Sequence, residues 1–155
     1  MKLHQDWTDF IAALVQNEVE FFVVGAFAVG FWGRPRSTGD LDVWIRPTSA
    51  NAAAVLKALA DFGFGVLPIT AADLISGKVI QLGRVPLRID ILSSLSGLDA
   101  EETWRSRQLG SLGGQQVFFL GKEALLRNKR AAGRPKDLTD VVELEGRGGA
   151  PPGRS

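Results

Sequence analysis

The sequence predicts a mixed α/β domain, a sheet of parallel and antiparallel strands flanked by helices. Three observations lead there. A short apolar strand, a small-residue helix and a second strand follow one another closely between residues 20 and 45. Two more strand-like segments, residues 78–83 and 86–93, are separated only by Arg84 and Val85, which predicts a hairpin. Helical periodicity occupies the segments at both ends.

The elements follow in order. Residues 6–18 place Trp7, Phe10, Ile11, Leu14 and Val15 at a 3–4 spacing, the pattern of an amphipathic helix. EFFVVG is a buried strand ending at Gly25, and AFAVGFWG is a helix whose alanines and glycines allow close approach to a sheet. DLDVWI, residues 40–45, is a strand stopped by Pro47. Residues 49–62 form a helix with Ser49 as its N-cap and Gly63 as its end. After the hairpin, residues 99–107 read as helix and QQVFFLG as the last strand. KEALLRNKRAAG and PKDLTDVVELE are two closing helices. The expected order is α-β-α-β-α-β-β-α-β-α-α, with residues 1–145 as one domain and 146–155 as a disordered tail.

Composition narrows the chemistry. Hydrophobic residues make up 45% of the 155 and charged residues 23%, the balance of a globular protein with one core. A net charge of +1 provides no global basic field, so phosphate recognition has to be local. The absence of cysteine excludes disulfides, zinc–cysteine sites and a thiol nucleophile. With His4 as the single histidine, a histidine metal site and a Ser-His-Asp triad lack their parts. The apolar run at residues 21–32 is shorter than the roughly 20 residues a membrane helix needs. Asp6, Asp9 and Glu18 interrupt the region a signal peptide would require. The expectation is a soluble cytoplasmic protein with no membrane partner.

Side chains alternate along a strand, so Asp40 and Asp42 share one face while Leu41, Val43 and Ile45 take the other. Adjacent carboxylates repel. They are tolerated at a solvated strand end, or where a cation sits between them, and magnesium prefers such oxygen ligands. Asp90 is a third carboxylate, flanked by Ile89 and Ile91 in a strand otherwise built for a core. If its strand lies beside that of Asp40 and Asp42, the three converge. Three carboxylates can hold two metals about 3.5–4 Å apart.

Gly25 stands between a buried strand and a helix, where backbone amides can bind phosphate, although close packing explains it equally. Neither G-x-G-x-x-G nor G-x-x-x-x-G-K-[ST] occurs. Arg34, Arg36, Ser37 and Thr38 precede the aspartates, as phosphate partners or as solvated loop. Lys129, Arg130, Arg134 and Lys136 cluster near Asp137 and Asp140, which also have plain roles in the first turn of a helix.

Taken together, VVGAFAVGFWGRPRSTGDLDVWI resembles the signature of the nucleotidyltransferase superfamily with the DNA polymerase beta-like fold. It is most similar to the small bacterial branch of minimal nucleotidyltransferases and AbiEii-type toxins. Gly25, Arg36, Thr38, Asp40 and Asp42 match that pattern, Asp90 in RIDIL matches its third carboxylate, and NKRAAGRPKDLTD resembles the branch's C-terminal motif. Two positions depart. Ala26 stands where glycine or serine is usual and leaves only its backbone amide, and Trp32 stands where relatives often have histidine.

The resemblance implies transfer of a nucleoside monophosphate from a nucleoside triphosphate such as ATP. Asp40, Asp42 and Asp90 would bind two magnesium or manganese ions, with Asp90 assisting deprotonation of the acceptor. Gly25, Ala26, Arg36 and Thr38 would hold phosphates, and Lys129 or Arg134 would offset the charge of the leaving pyrophosphate. The acceptor would be an RNA 3′ end, a protein hydroxyl or a small molecule, with a toxin–antitoxin partner in that branch. A non-catalytic module that binds nucleotide or a partner protein, an antitoxin or degenerate relative, is the competing reading. A DxD glycosyltransferase would need a longer chain.

Overall fold

In chain order the elements are α1 (Gln5–Gln16), β1 (Phe21–Val24), α2 (Gly25–Trp32), β2 (Asp40–Ile45), α3 (Ser49–Phe62) and α4 (Ala71–Leu74). They continue with β3 (Ile80–Arg84), β4 (Leu87–Leu92), α5 (Ala100–Arg105), β5 (Gln108–Leu112), β6 (Gln115–Phe119), α6 (Lys122–Ala132) and α7 (Pro135–Glu145). The structure is a computed structural model that describes residues 3–35, 37–65, 67–84 and 87–146. Arg36 and, apart from Gly146, the tail expected at 146–155 lie outside the described residues.

The strands form one mixed sheet of order β3-β4-β2-β1-β6-β5. β2 runs parallel to β4 and antiparallel to β1, and β1 runs parallel to β6, while β3 and β5 close the edges as antiparallel hairpin arms. The mixed α/β sheet expected from the sequence is the one observed.

One local expectation is corrected and two elements are added. The helix at 49–62 is capped by Thr48, whose hydroxyl accepts from the Asn51 N–H at 3.1 Å, and Ser49 is already its first residue. Residues 71–74 make a short helix, α4, closed by reciprocal bonds between Thr70 and Asp73. Residues 108–112 form β5, a strand the sequence reading omits. Its turn is Gly113–Gly114, both at positive φ (60° and 82°), the conformation two-residue hairpins favour.

One sheet face, carrying Leu41, Val43, Ile45 and Ile91, is buried in a core shared with Phe10, Leu14, Val55 and Leu59 of α1 and α3. On the opposite face, Asp40, Asp42 and Trp44 alternate along β2. At the Trp44 end that face is dry. Trp44 stacks on Phe22 with ring centroids 4.4 Å apart, and Trp104 of α5 covers both. Arg107 lies over Trp104 and Phe118 at 4.1 and 4.7 Å. The same strand face therefore passes from an aromatic floor to a row of carboxylates within four residues.

Asn51, buried at the start of α3, ties the strand ends together. It accepts from the Glu20 N–H at 2.7 Å and donates to the Glu20 and Arg46 carbonyls, both at 2.9 Å. This fixes where β1 begins and β2 ends.

Candidate active site

The parallel pairing of β2 with β4 places Asp42 directly across from Asp90, and Asp40 across from Arg88. Asp42 and Asp90 are within hydrogen-bonding reach of each other. Such contact between two carboxyls requires one of them to keep its proton. The Asp42 carboxyl is accordingly pushed up to about 7, first by burial, then by the charge of Asp90 and their shared hydrogen bond, and by Asp40. The charge of Lys129 acts in the other direction.

Gly25 is built around this carboxylate. Its φ is +65°, in the left-handed region, and a Cβ there would lie 2.1 Å from Asp42 Oδ2. The β1–α2 turn thus sits directly against Asp42, with Val24 paired to Asp42 across the two strands. Ala26 follows in the first turn of α2 and lines the same cleft.

Asp40 has a different neighbour. Arg88 Nε donates to its Oδ1 at 2.9 Å, and the two side chains are 37% and 35% exposed. The guanidinium is held above its ordinary value by that bond and by the Asp40 charge. Thr38 accepts from the Asp40 N–H at 3.0 Å and lies 3.2 Å from its carbonyl, so its hydroxyl braces the start of β2. On the far side, Gln81 of β3 donates to Asp90 Oδ1 at 3.1 Å.

The opposite wall comes from α6 and α7. Lys129, 13% exposed, bridges Asp137 (3.3 Å) and Asp140 (3.1 Å), which are 1% and 8% exposed. Arg134 Nε donates to Asp137 Oδ2 at 2.7 Å, and these partners hold the Asp137 carboxyl below its ordinary range. Between the walls lies a cleft of about 440 Å³, lined by Gly25, Ala26, Asp40, Asp42, Asp90, Lys129 and Arg134 among others. Trp32, one of the two departures from the family pattern, faces away from this chemistry. Its indole donates to the Leu120 carbonyl at 2.8 Å and ties α2 to the end of β6.

The structure therefore gathers Gly25, Ala26, Thr38, Asp40, Asp42, Asp90, Lys129 and Arg134 around one cleft, and Arg36 lies outside the described residues. Arg88 and Gln81 are absent from the sequence reading. Alternation does place Arg88 on the face of Asp90, two residues away, but its contact with Asp40 exists only in the β2–β4 register. Asp137 does take the helix-start role read from the sequence, accepting from the Arg134 N–H at 3.3 Å, and with Asp140 it is also a buried seat of Lys129, which the sequence reading lacks.

The donor set suits a hard divalent cation: carboxylate oxygens gathered under a cleft, one of them retaining a proton that a cation could replace. As placed, the described residues hold no group of three acidic or histidine side chains ready to share an ion, and Asp40 is paired with Arg88.

No protein-family model matches the chain, and no curated protein sequence does. Solved structures match it in fold. The lincosamide antibiotic adenylyltransferase LnuA, solved with lincomycin bound, aligns with a TM-score of 0.60 at 14% identity over 95% of this chain and 99% of its own. ANT(2″)-Ia, solved with adenylyl-2″-tobramycin, aligns with a TM-score of 0.57 at 14% identity over 89% of this chain and 84% of its own. Identity so low speaks for the fold alone, which is the DNA polymerase beta-like fold of nucleotidyltransferases.

Proposed function

We propose that this chain is a metal-dependent nucleotidyltransferase, moving a nucleoside monophosphate from a nucleoside triphosphate to an acceptor hydroxyl. The observation that carries this reading is the Asp42–Asp90 carboxyl contact beneath the cleft, with Asp42 pushed up to about 7. A pair of acids held so close is costly unless it serves a cation.

Asp40, Asp42 and Asp90 are the residues that would hold magnesium or manganese. When bound, such an ion would supply positive charge against the triphosphate and lower the pKa of a coordinated hydroxyl. The chain's own groups do the rest. Backbone amides of Gly25 and Ala26 at the start of α2 are donors for phosphate oxygens, Thr38 lines the same cleft just before β2, and Arg36, two positions before it in the sequence, is assigned to the same phosphates. Lys129 is anchored by Asp137 and Asp140, so it acts as a fixed positive charge on the cleft wall, with Arg134 beside it. Asp90 takes the proton of the acceptor hydroxyl as its oxygen bonds to the α-phosphorus. The α–β bridging bond breaks, and pyrophosphate leaves. Such catalysis is mostly positioning and charge compensation.

Two acceptor classes have support. Resemblance to the minimal nucleotidyltransferase and AbiEii-type branch favours an RNA 3′ end or a protein hydroxyl, with a toxin–antitoxin partner. The lincomycin and the adenylyl-tobramycin held by the structural neighbours favour a small hydroxylated molecule. Incubating the protein with magnesium, each labelled triphosphate and separate pools of RNA, protein and small polyols identifies the acceptor by the pool that takes up label. Asp42→Asn and Asp40→Ala are expected to lose label transfer by at least about a hundredfold while keeping wild-type circular dichroism. Undiminished transfer in either variant overturns the role given to that residue.

The Asp40–Arg88 ion pair favours a second reading, a non-catalytic module that binds nucleotide or a partner protein. Calorimetric nucleotide binding without any pyrophosphate release would select it.

A further inference from the structure

Among the described residues, Arg88 is the one charged group touching the carboxylate row that neither the family pattern nor the proposed chemistry employs. It sits two residues before Asp90 on the same face of β4, in register with Asp40. Its Nε lies 2.9 Å from Asp40 Oδ1. Its charge is felt by the whole row, since Asp40, Asp90 and Asp42 all raise its proton affinity, Asp40 most. Yet the pair is 37% and 35% exposed, and an ion pair in that setting is weak, so the guanidinium can be displaced. Asp42 and Asp90, meanwhile, have no cation in hydrogen-bond contact among the described residues. Among the described residues, direct contact with a cation is thus made at the Asp40 end of the row, while Lys129 acts on Asp42 only through its charge at longer range.

We propose that Arg88 is a resident counter-cation that competes with a divalent metal ion for Asp40 and so sets the metal affinity of the nucleotide-free site. The inference rests on the metal-dependent reading above. Arg88 is here a positioning residue. It orients Asp40 and keeps it occupied, and a divalent ion gains Asp40 as a ligand only by taking it from the guanidinium. Two features of a guanidinium matter. It cannot lose its charge by deprotonation, and its planar fork matches a carboxylate edge. The competition therefore does not fade across the ordinary pH range.

The test measures Mn²⁺ binding to the nucleotide-free protein by electron paramagnetic resonance, with no turnover involved. Arg88→Met keeps the length and packing of the stem while removing the charge, and Arg88→Gln provides a polar check on folding. Both are expected to bind Mn²⁺ about tenfold more tightly than wild type, the order expected for removing one partly exposed charge beside a divalent ion. Arg88→Lys, which keeps the charge, is expected to stay within about threefold of wild type. In an Asp40→Asn background the effect of the Arg88→Met change is expected to shrink to about twofold or less, because the contested carboxylate is gone and only the longer-range charge on Asp42 and Asp90 is left. Equal or weaker Mn²⁺ binding by Arg88→Met and Arg88→Gln overturns the competition and leaves the metal reading intact. Absence of Mn²⁺ binding in wild type and every variant overturns the metal reading and this inference with it.

Discussion

Asp42 is the residue at which folding and chemistry oppose each other. Its carboxyl sits at about 7 in the folded chain, against roughly 3.9 in an unfolded one. The folded state thus binds more protons than the unfolded state between about pH 4 and pH 7, and stability falls as pH rises through that window. The full shift would correspond to about 4 kcal/mol, and partial solvent access reduces it to about 2 kcal/mol. Metal-free protein should therefore melt several degrees lower at pH 8 than at pH 5, and Asp42→Asn should flatten that slope. Magnesium should restore part of the loss at pH 8, because a cation replaces the proton. Differential scanning calorimetry across pH, with and without metal, checks all three. Much of this was legible in the sequence, since alternation alone sets Asp40 and Asp42 on one face and isolates Asp90 among isoleucines. The Arg88 contact was not legible, because it depends on which residue of β4 stands opposite Asp40.

At the scale of elements, the β1–α2 turn is the joint on which the site depends. A Cβ at position 25 would meet Asp42 at its Oδ2, its carboxyl carbon at 2.9 Å and its Cβ at 3.0 Å, so the side chain cannot simply swing aside. Gly25→Ala also places an L-residue at φ +65°. It should cost about 2–3 kcal/mol in urea unfolding and weaken Mn²⁺ binding by displacing Asp42. The sequence marks this joint through a glycine between an apolar strand and a small-residue helix. It marked β5 poorly. QLGSL carries few β-branched or aromatic residues, and its glycine gives Phe31 and Phe119 room to stack at 4.2 Å. The signal that was present is Gly113–Gly114, a hairpin turn followed by an apolar strand.

Over the whole molecule, the cleft exists because the α6–α7 pair stands against the carboxylate end of the sheet. Lys129 and its two buried aspartates hold that pair together. Lys129→Met leaves Asp140 without this partner and Asp137 with Arg134 alone of its two cations, and should lower stability by about 2–4 kcal/mol. Lys129→Arg should lose less, and chemical denaturation of both variants decides the matter. The basic cluster was visible in the sequence as a run of charges. Its burial was not, because that depends on how two helices close on each other. The mixed α/β architecture, by contrast, followed from element order and hydrophobic period.

The parallel register of β2 and β4 has one more consequence. Alignment of Asp42 with Asp90 is held by main-chain hydrogen bonds and by the core beneath Leu41, Val43, Ile89 and Ile91. Gly39, whose carbonyl accepts from the Arg88 N–H at 2.8 Å, belongs to it as well, whereas the segments that leave the two strands, from Arg46 and from Ser93 onward, add no rung to it among the described residues. Their length and composition can drift without misaligning the acids, whereas a single residue inserted within either strand would turn one carboxylate into the core. Heredity is thus free to rewrite what the cleft recognises while the pair beneath it stays in place.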